Sequence, residues 1–247
     1  MPVEMLLAAI FLPFFGTVLG GILFLWNNGV FNKRKQRYLN AAAGGIMFAA
    51  AIWSLLIPSV ELSSFSIKWL PTVLGFLFGG ILIALLEKML QKTYTKNDGS
   101  MLMLAVTIHN FPEGMAVGVA LSGLVHSDAI SLTAACMLSF GIAVQNIPEG
   151  AIIYAPIRSR GKSKLSAMMY TVLSGIVEPL GALLTFLLTA VFEPLLPFIL
   201  AFAAGAMIYV VADEMLPAAA EEKENAWPSL SFMLAFSLMM LLDIALG

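Results

Sequence analysis

Charge is scarce in this chain. Only 11% of its 247 residues are Asp, Glu, Lys or Arg, where a soluble domain carries about a quarter. The few charges cluster in short stretches between long apolar runs, and 60% of the residues are hydrophobic. That pattern excludes a water-soluble fold and indicates an integral membrane protein built from helices. Cysteine is nearly absent too: Cys136 alone excludes an internal disulfide, and its apolar surroundings suit a small packing residue. Histidine occurs twice, at His109 and His126. Neither HExxH nor GxSxG appears, which removes the commonest signatures of metal-assisted and serine hydrolysis. No basic stretch precedes the first apolar run, so Glu4 to Trp26 reads as a first membrane helix rather than a cleavable leader. The net charge of -2 says little about partners, and nothing in the chain marks it for nucleic acid.

What is present is a set of eight apolar segments. They run roughly over 4–26, 39–60, 68–90, 101–125, 128–157, 166–192, 194–220 and 227–246. No soluble domain or long linker interrupts them, so residues 1–247 form one transmembrane unit. Twelve of the thirteen Lys and Arg residues fall in or beside the 1–2, 3–4, 5–6 and 7–8 connections, and Lys68 alone lies on the other side. By the positive-inside rule those four connections are cytoplasmic and both termini are extracytoplasmic.

Two internal similarities organise the segments. The fourth carries His109-Asn110-Phe111-Pro112-Glu113-Gly114, and 36 positions later the fifth carries Gln145-Asn146-Ile147-Pro148-Glu149-Gly150. The second and seventh segments align at an offset of 160, matching Gly45 with Gly205, Met47 with Met207, Leu56 with Leu216 and Glu61 with Glu221. These two segments run in opposite directions. The expected architecture is therefore an all-α bundle of eight spans, with an inverted repeat relating segments 1–3 to 6–8 around kinked segments 4 and 5.

The two motifs carry the chemistry. In each, a carboxylate follows Asn by three residues and His or Gln by four, which puts all three on one helix face. Pro112 and Pro148 lack an N–H, so each frees a carbonyl one turn earlier and favours a bend. Glu178, followed by Pro179, adds a third acid in the sixth segment. Three carboxylates at membrane depth with no Lys or Arg nearby need protons or metal ions. Imidazole, carboxylate and amide oxygen together favour metal. His109, Glu113, Gln145 and Glu149 make one four-ligand set. Asn110, Asn146 and Glu178 make an adjacent one that shares the two glutamates. A hydrogen-bonded polar network tying three helices together is the competing reading.

HNFPEG, QNIPEG and the Glu178-Pro179 pair resemble the signatures of the ZIP (Zrt/Irt-like) divalent-metal transporters, and most nearly the bacterial GufA-type branch. The resemblance covers essentially the whole chain. It implies inward movement of Zn²⁺, with Fe²⁺, Mn²⁺ and Cd²⁺ as further cargo, and a binuclear centre from the same seven residues. It implies a multi-pass protein of the plasma membrane with no prosthetic group, the ions being cargo. It also implies an entrance path on the second segment, where Met47, Ser54 and Glu61 recur every seven residues on one stripe. Asp213 and Glu214, near the cytoplasmic end of the seventh segment, suit an exit. The loop Lys92–Ser100 lacks the histidines that many relatives carry there, and the fifth segment has Gln145 and Asn146 where some branches have histidine.

His126, Asp128, Glu193 and Asp243 read as solvated boundary residues, and Glu87 and the acids at 221–224 as cytoplasmic surface charge. The run Gly75-Phe76-Leu77-Phe78-Gly79-Gly80 offers close packing, either inside the chain or in a homodimer. Two other functions fit the acids: an intramembrane metal-dependent hydrolase, and a proton-coupled carrier of a small organic solute.

Overall fold

The computed structural model describes residues 2–26, 33–64, 67–93, 99–126, 130–159, 161–191, 193–220 and 226–246. Lys96, Asp128, Arg160, Lys223 and the acids at 221, 222 and 224 lie outside them, as do the side chains of His109, Glu193 and Glu214. Among the described residues the regular structure is all helix. Eight helical stretches match the eight apolar segments. α1 is Val3–Trp26 and α2 covers 33–61; α3 is Trp69–Thr93, α4 Gly99–His126 and α5 Leu132–Ser159. α6 covers 164–191, α7 covers 196–219 and α8 is Trp227–Leu246. Seven have windows long and apolar enough to cross a membrane. The eighth, α4, holds the first motif.

α4 and α5 run unbroken through Pro112 and Pro148. Departures from α-geometry fall elsewhere. α2 contains a π-helical stretch at Ala51–Leu56, just before Pro58, and α7 contains one at Val211–Met215, just before Pro217. α6 is interrupted by a turn between Gly175 and Val177, because Pro179 has no N–H for the carbonyl of Gly175. The interruption leaves Glu178 in the first turn of the helix that follows. Between α5 and α6, Gly161 takes φ 81, a conformation side-chain-bearing residues avoid, and Ser163 caps α6 by accepting from Ser166 N.

Small residues set the helix pairing. A Cβ added at Gly16 or Gly20 of α1 would meet the carbonyls of Ala143 and Ile147 on α5 at 2.1 and 2.0 Å. At Gly114 and Gly118 of α4 it would meet those of Glu178 and Ala182 on α6 at 2.0 and 2.1 Å. Gly75 and Gly79 of α3 lie as tightly on Phe198 and Phe202 of α7, and Gly45 of α2 on Phe232 of α8. The glycine run of α3 is thus used within the chain. In an apolar solvent, where burial between helices gains little, backbone approach of this kind is what holds pairs together. α1, α4, α5 and α6 form one group and α2, α3, α7 and α8 another, joined mainly by α2 against α5 and α4 against α7. Ser59 pins the second group: its hydroxyl bonds Thr72 of α3 at 2.7 Å and the carbonyl of Pro197 at 2.6 Å.

Candidate metal centre

The polar residues of the two motifs meet where α1, α4, α5 and α6 come together. Asn110, Glu113 and Asn146 are wholly buried, as is Glu178; Gln145 is 1% exposed and Glu149 6%. Gln145 Nε2 donates to Glu113 Oε1 at 2.8 Å. Asn110 Nδ2 donates to Glu178 Oε1 at 3.1 Å and to the carbonyl of Ser174 at 3.3 Å. Asn146 Nδ2 reaches the carbonyl of Pro13 at 3.5 Å. Glu113 and Glu149 each lie close enough to Glu178 for repulsion between the carboxylates. Six of the seven predicted ligands are thereby brought together. The seventh, His109, occupies its place on α4, one helical turn before Glu113, and its side chain lies outside the described ones.

The hydrogen bonds share one polarity. Every amide gives its nitrogen to a protein acceptor and leaves its oxygen over. Asn110 Oδ1, Gln145 Oε1, Asn146 Oδ1, Glu113 Oε2, Glu178 Oε2 and Ser174 Oγ are buried with no hydrogen-bond partner. An unmet buried acceptor costs about 1–3 kcal/mol, so six such oxygens within one helix cluster call for a shared partner: protons, water or a cation. A helix-gluing network would instead consume its acceptors. Among the described residues no three His, Cys, Asp or Glu side chains form a ligating cluster of their own. The donor set is mixed, with amide oxygens between carboxylates, and oxygen donors of this kind suit divalent cations.

Two residues here escaped the sequence reading. Thr17 of α1 donates its hydroxyl to Glu178 Oε1 at 2.8 Å, and Ser174 supplies both a carbonyl and an unpartnered hydroxyl. Neither type stands out in a membrane helix. Only the alignment of α1 with α6 at an offset of 161, which sets Thr17 against Glu178 and Gly20 against Gly181, carried a signal.

The path residues divide. Ser54 and Glu61 line a cavity of about 250 Å³ between α2, α4, α5 and α8, with Trp53, Leu138 and Asp243 also in its wall. Met47 does not line it and is packed in the apolar core. Asp243 corrects the reading of a solvated boundary residue. It is half-buried and accepts from Ser54 Oγ at 2.8 Å, because α8 lies against α2 and turns its last acid inward. Glu87 is corrected likewise: it is 8% exposed and accepts from Tyr209 Oη at 3.0 Å across the α3–α7 contact. His126 is exposed, as expected, with Nδ1 3.1 Å from Ser122 Oγ and its ring against Phe186. Cys136 is a free, half-buried thiol. Asp213 is exposed on the π-helical stretch of α7.

Comparison with known proteins identifies relatives of this chain. Residues 97–245 match the family model described as ZIP zinc transporter. Zinc transporter GufA of Myxococcus xanthus is 34% identical over 83% of both chains. Zinc transporter ZIP11 of Homo sapiens is 29% identical over 88% of this chain and 91% of its own length. The Xenopus tropicalis protein of the same name is 39% identical over 60% of this chain, a match that takes in 44% of that relative.

Proposed function

Because the chain belongs to the ZIP zinc transporter family, we propose that it moves divalent transition-metal ions across the plasma membrane into the cytoplasm. Zinc is the first cargo; iron, manganese and cadmium are others that this donor set accepts. The observation that carries the proposal is the group of buried oxygens left without partners while every amide nitrogen is engaged. His109, Glu113, Gln145 and Glu149 hold one ion. Asn110, Asn146 and Glu178, sharing the two glutamates, hold a second. An arriving ion exchanges its water for these oxygens and the imidazole. No covalent bond is made or broken, so the protein is a transporter and not an enzyme.

The order along the path follows from charge. Glu61, Ser54 and Asp243 form the outer mouth, the centre lies between, and Asp213 with Glu214 receives the ion on the cytoplasmic side. Met47 lies on the same stripe of α2 as Ser54 and Glu61, and a bend of α4 and α5 at Pro112 and Pro148 during transport would open room for the ion.

An inverted repeat relating helices 1–3 to 6–8 underlies this arrangement. Several coincidences support it. The π-helical stretches of α2 and α7 begin at Ala51 and Val211, the offset at which Gly45 and Gly205 align. Those two glycines make equivalent contacts, Gly45 on the carbonyl of Phe232 and Gly205 on that of Phe76. Gly114 and Gly150 do the same, on the carbonyls of Glu178 and Thr17.

The test is uptake into proteoliposomes. Zn²⁺ flux should fall at least tenfold in Glu113→Ala and in His109→Ala, and flux equal to that of the unaltered protein in both would sink the assignment.

A further inference from the structure

Thr17 sits in a helix that places no carboxylate, amide or imidazole in the centre. Its side chain is nonetheless wholly buried and bonded to one of the three acids. Glu178 Oε1 accepts from both Thr17 Oγ1 at 2.8 Å and Asn110 Nδ2 at 3.1 Å, while Oε2 accepts from nothing. A carboxylate held by two donors on one oxygen turns only its other oxygen to an ion. We propose that Thr17 is a positioning residue that restricts Glu178 to single-oxygen contact and thereby sets which divalent ions the centre prefers. This rests on the metal-transport reading of the same centre.

The chemistry gives the direction. Zinc takes about four ligands at short distance and is content with one oxygen from each carboxylate. Manganese favours about six oxygens in an octahedral shell and gains more from a carboxylate that offers both. Without the Thr17 hydroxyl, Oε1 keeps one donor, and the carboxylate is freer to present both oxygens. Glu113 Oε1 accepts from Gln145 Nε2 alone, one donor where Glu178 Oε1 has two. Gln145 is itself a proposed ligand, so only position 17 separates restraint from loss of a ligand.

The packing around Thr17 is tight, since a Cβ at Gly150 would fall on its carbonyl oxygen and one at Gly175 would lie 3.2 Å from its side chain. Variants must therefore be small. Thr17→Val removes the hydroxyl and keeps the volume, Thr17→Ala removes both hydroxyl and methyl, and Thr17→Ser keeps the hydroxyl. The full-length protein is assayed for Zn²⁺ and Mn²⁺ by equilibrium dialysis in detergent and by uptake into proteoliposomes. The ratio of zinc to manganese affinity should fall about tenfold in the Val and Ala variants, the scale of a hydrogen bond to a charged group. It should stay within twofold of the unaltered protein in the Ser variant. A ratio unchanged in Val and Ala overturns the proposal, as does a shift in Ser equal to theirs. If the Val variant does not fold, Ala against Ser decides. Should both Val and Ala fail to assemble while Ser folds, position 17 is a packing residue and the proposal is wrong. Unaltered protein that binds and moves neither ion overturns the metal-transport reading itself, a result separate from all of these.

Discussion

At the scale of single residues, the centre is read from which atoms are satisfied. The side chains that matter have split loyalties: nitrogens committed to protein acceptors, oxygens left over. The mouth shows a related split in Asp243, where Oδ1 accepts from Ser54 and Oδ2 is buried without a partner. On the proposed path, a cation entering the cavity would meet that oxygen together with the exposed carboxylate of Glu61. Replacing either acid with its amide removes a charge from the entrance and leaves the centre intact. Asp243→Asn and Glu61→Gln should each raise the KM for Zn²⁺ about three- to tenfold, with the maximal rate within twofold. Saturation curves from vesicle uptake decide this, and a collapse of the maximal rate at unchanged KM would argue that the cavity is not an entrance. Charge complementarity at a mouth acts on capture, which is why the effect belongs in KM.

At the scale of the helix, backbone contact sets position. Gly79 and Gly80 are neighbours in α3 with opposite demands. A Cβ at Gly79 would lie 2.0 Å from the carbonyl oxygen of Phe202, and one at Gly80 no closer than 3.5 Å to anything. Gly79→Ala should therefore destabilise the protein by about 1–3 kcal/mol, the range for overpacking a close contact, whereas Gly80→Ala should cost less than about 1 kcal/mol. Thermal unfolding of the two purified variants, side by side in one detergent, checks the contrast; equal losses would contradict the pairing of α3 with α7. The helices themselves were legible from apolar length and the distribution of Lys and Arg. Less legible was where they deviate. Proline marks both the motifs and the irregular stretches, yet α4 and α5 continue through theirs while α2, α6 and α7 change geometry next to Pro58, Pro179 and Pro217. Proline removes a donor in every case, and whether the helix re-forms around the gap depends on neighbours that a sequence does not display.

The same limit explains the acids that were misread. Asp243 and Glu87 were assigned from distance to the chain's apolar boundaries, which gives depth but not rotation about the helix axis. Only the pairing of α8 with α2, and of α3 with α7, decides that both turn inward toward Ser54 and Tyr209. The six motif residues stood out because the motif occurs twice, and a repeated cost at membrane depth is hard to attribute to chance; Glu178 stood out as a third acid at that depth. Thr17 did not, since a single threonine in a membrane helix costs little and signals little.

At the scale of the whole molecule, one group of helices, α1, α4, α5 and α6, brings the polar cluster together, and α2 and α8 from the other group line the cavity at Asp243 with α4 and α5. On the proposed function, the oxygens of Glu113, Glu178, Asn110, Gln145 and Asn146 are left over because a metal ion fills them in transit. Crystals of the full-length protein grown with Cd²⁺ and measured for anomalous scattering test this directly. One or two strong peaks are expected among α4, α5 and α6, within about 2.0–2.6 Å of Glu113 Oε2 and Glu178 Oε2. Anomalous density confined to the outer cavity or to surface acids, with the buried oxygens bonded to water alone, would contradict it.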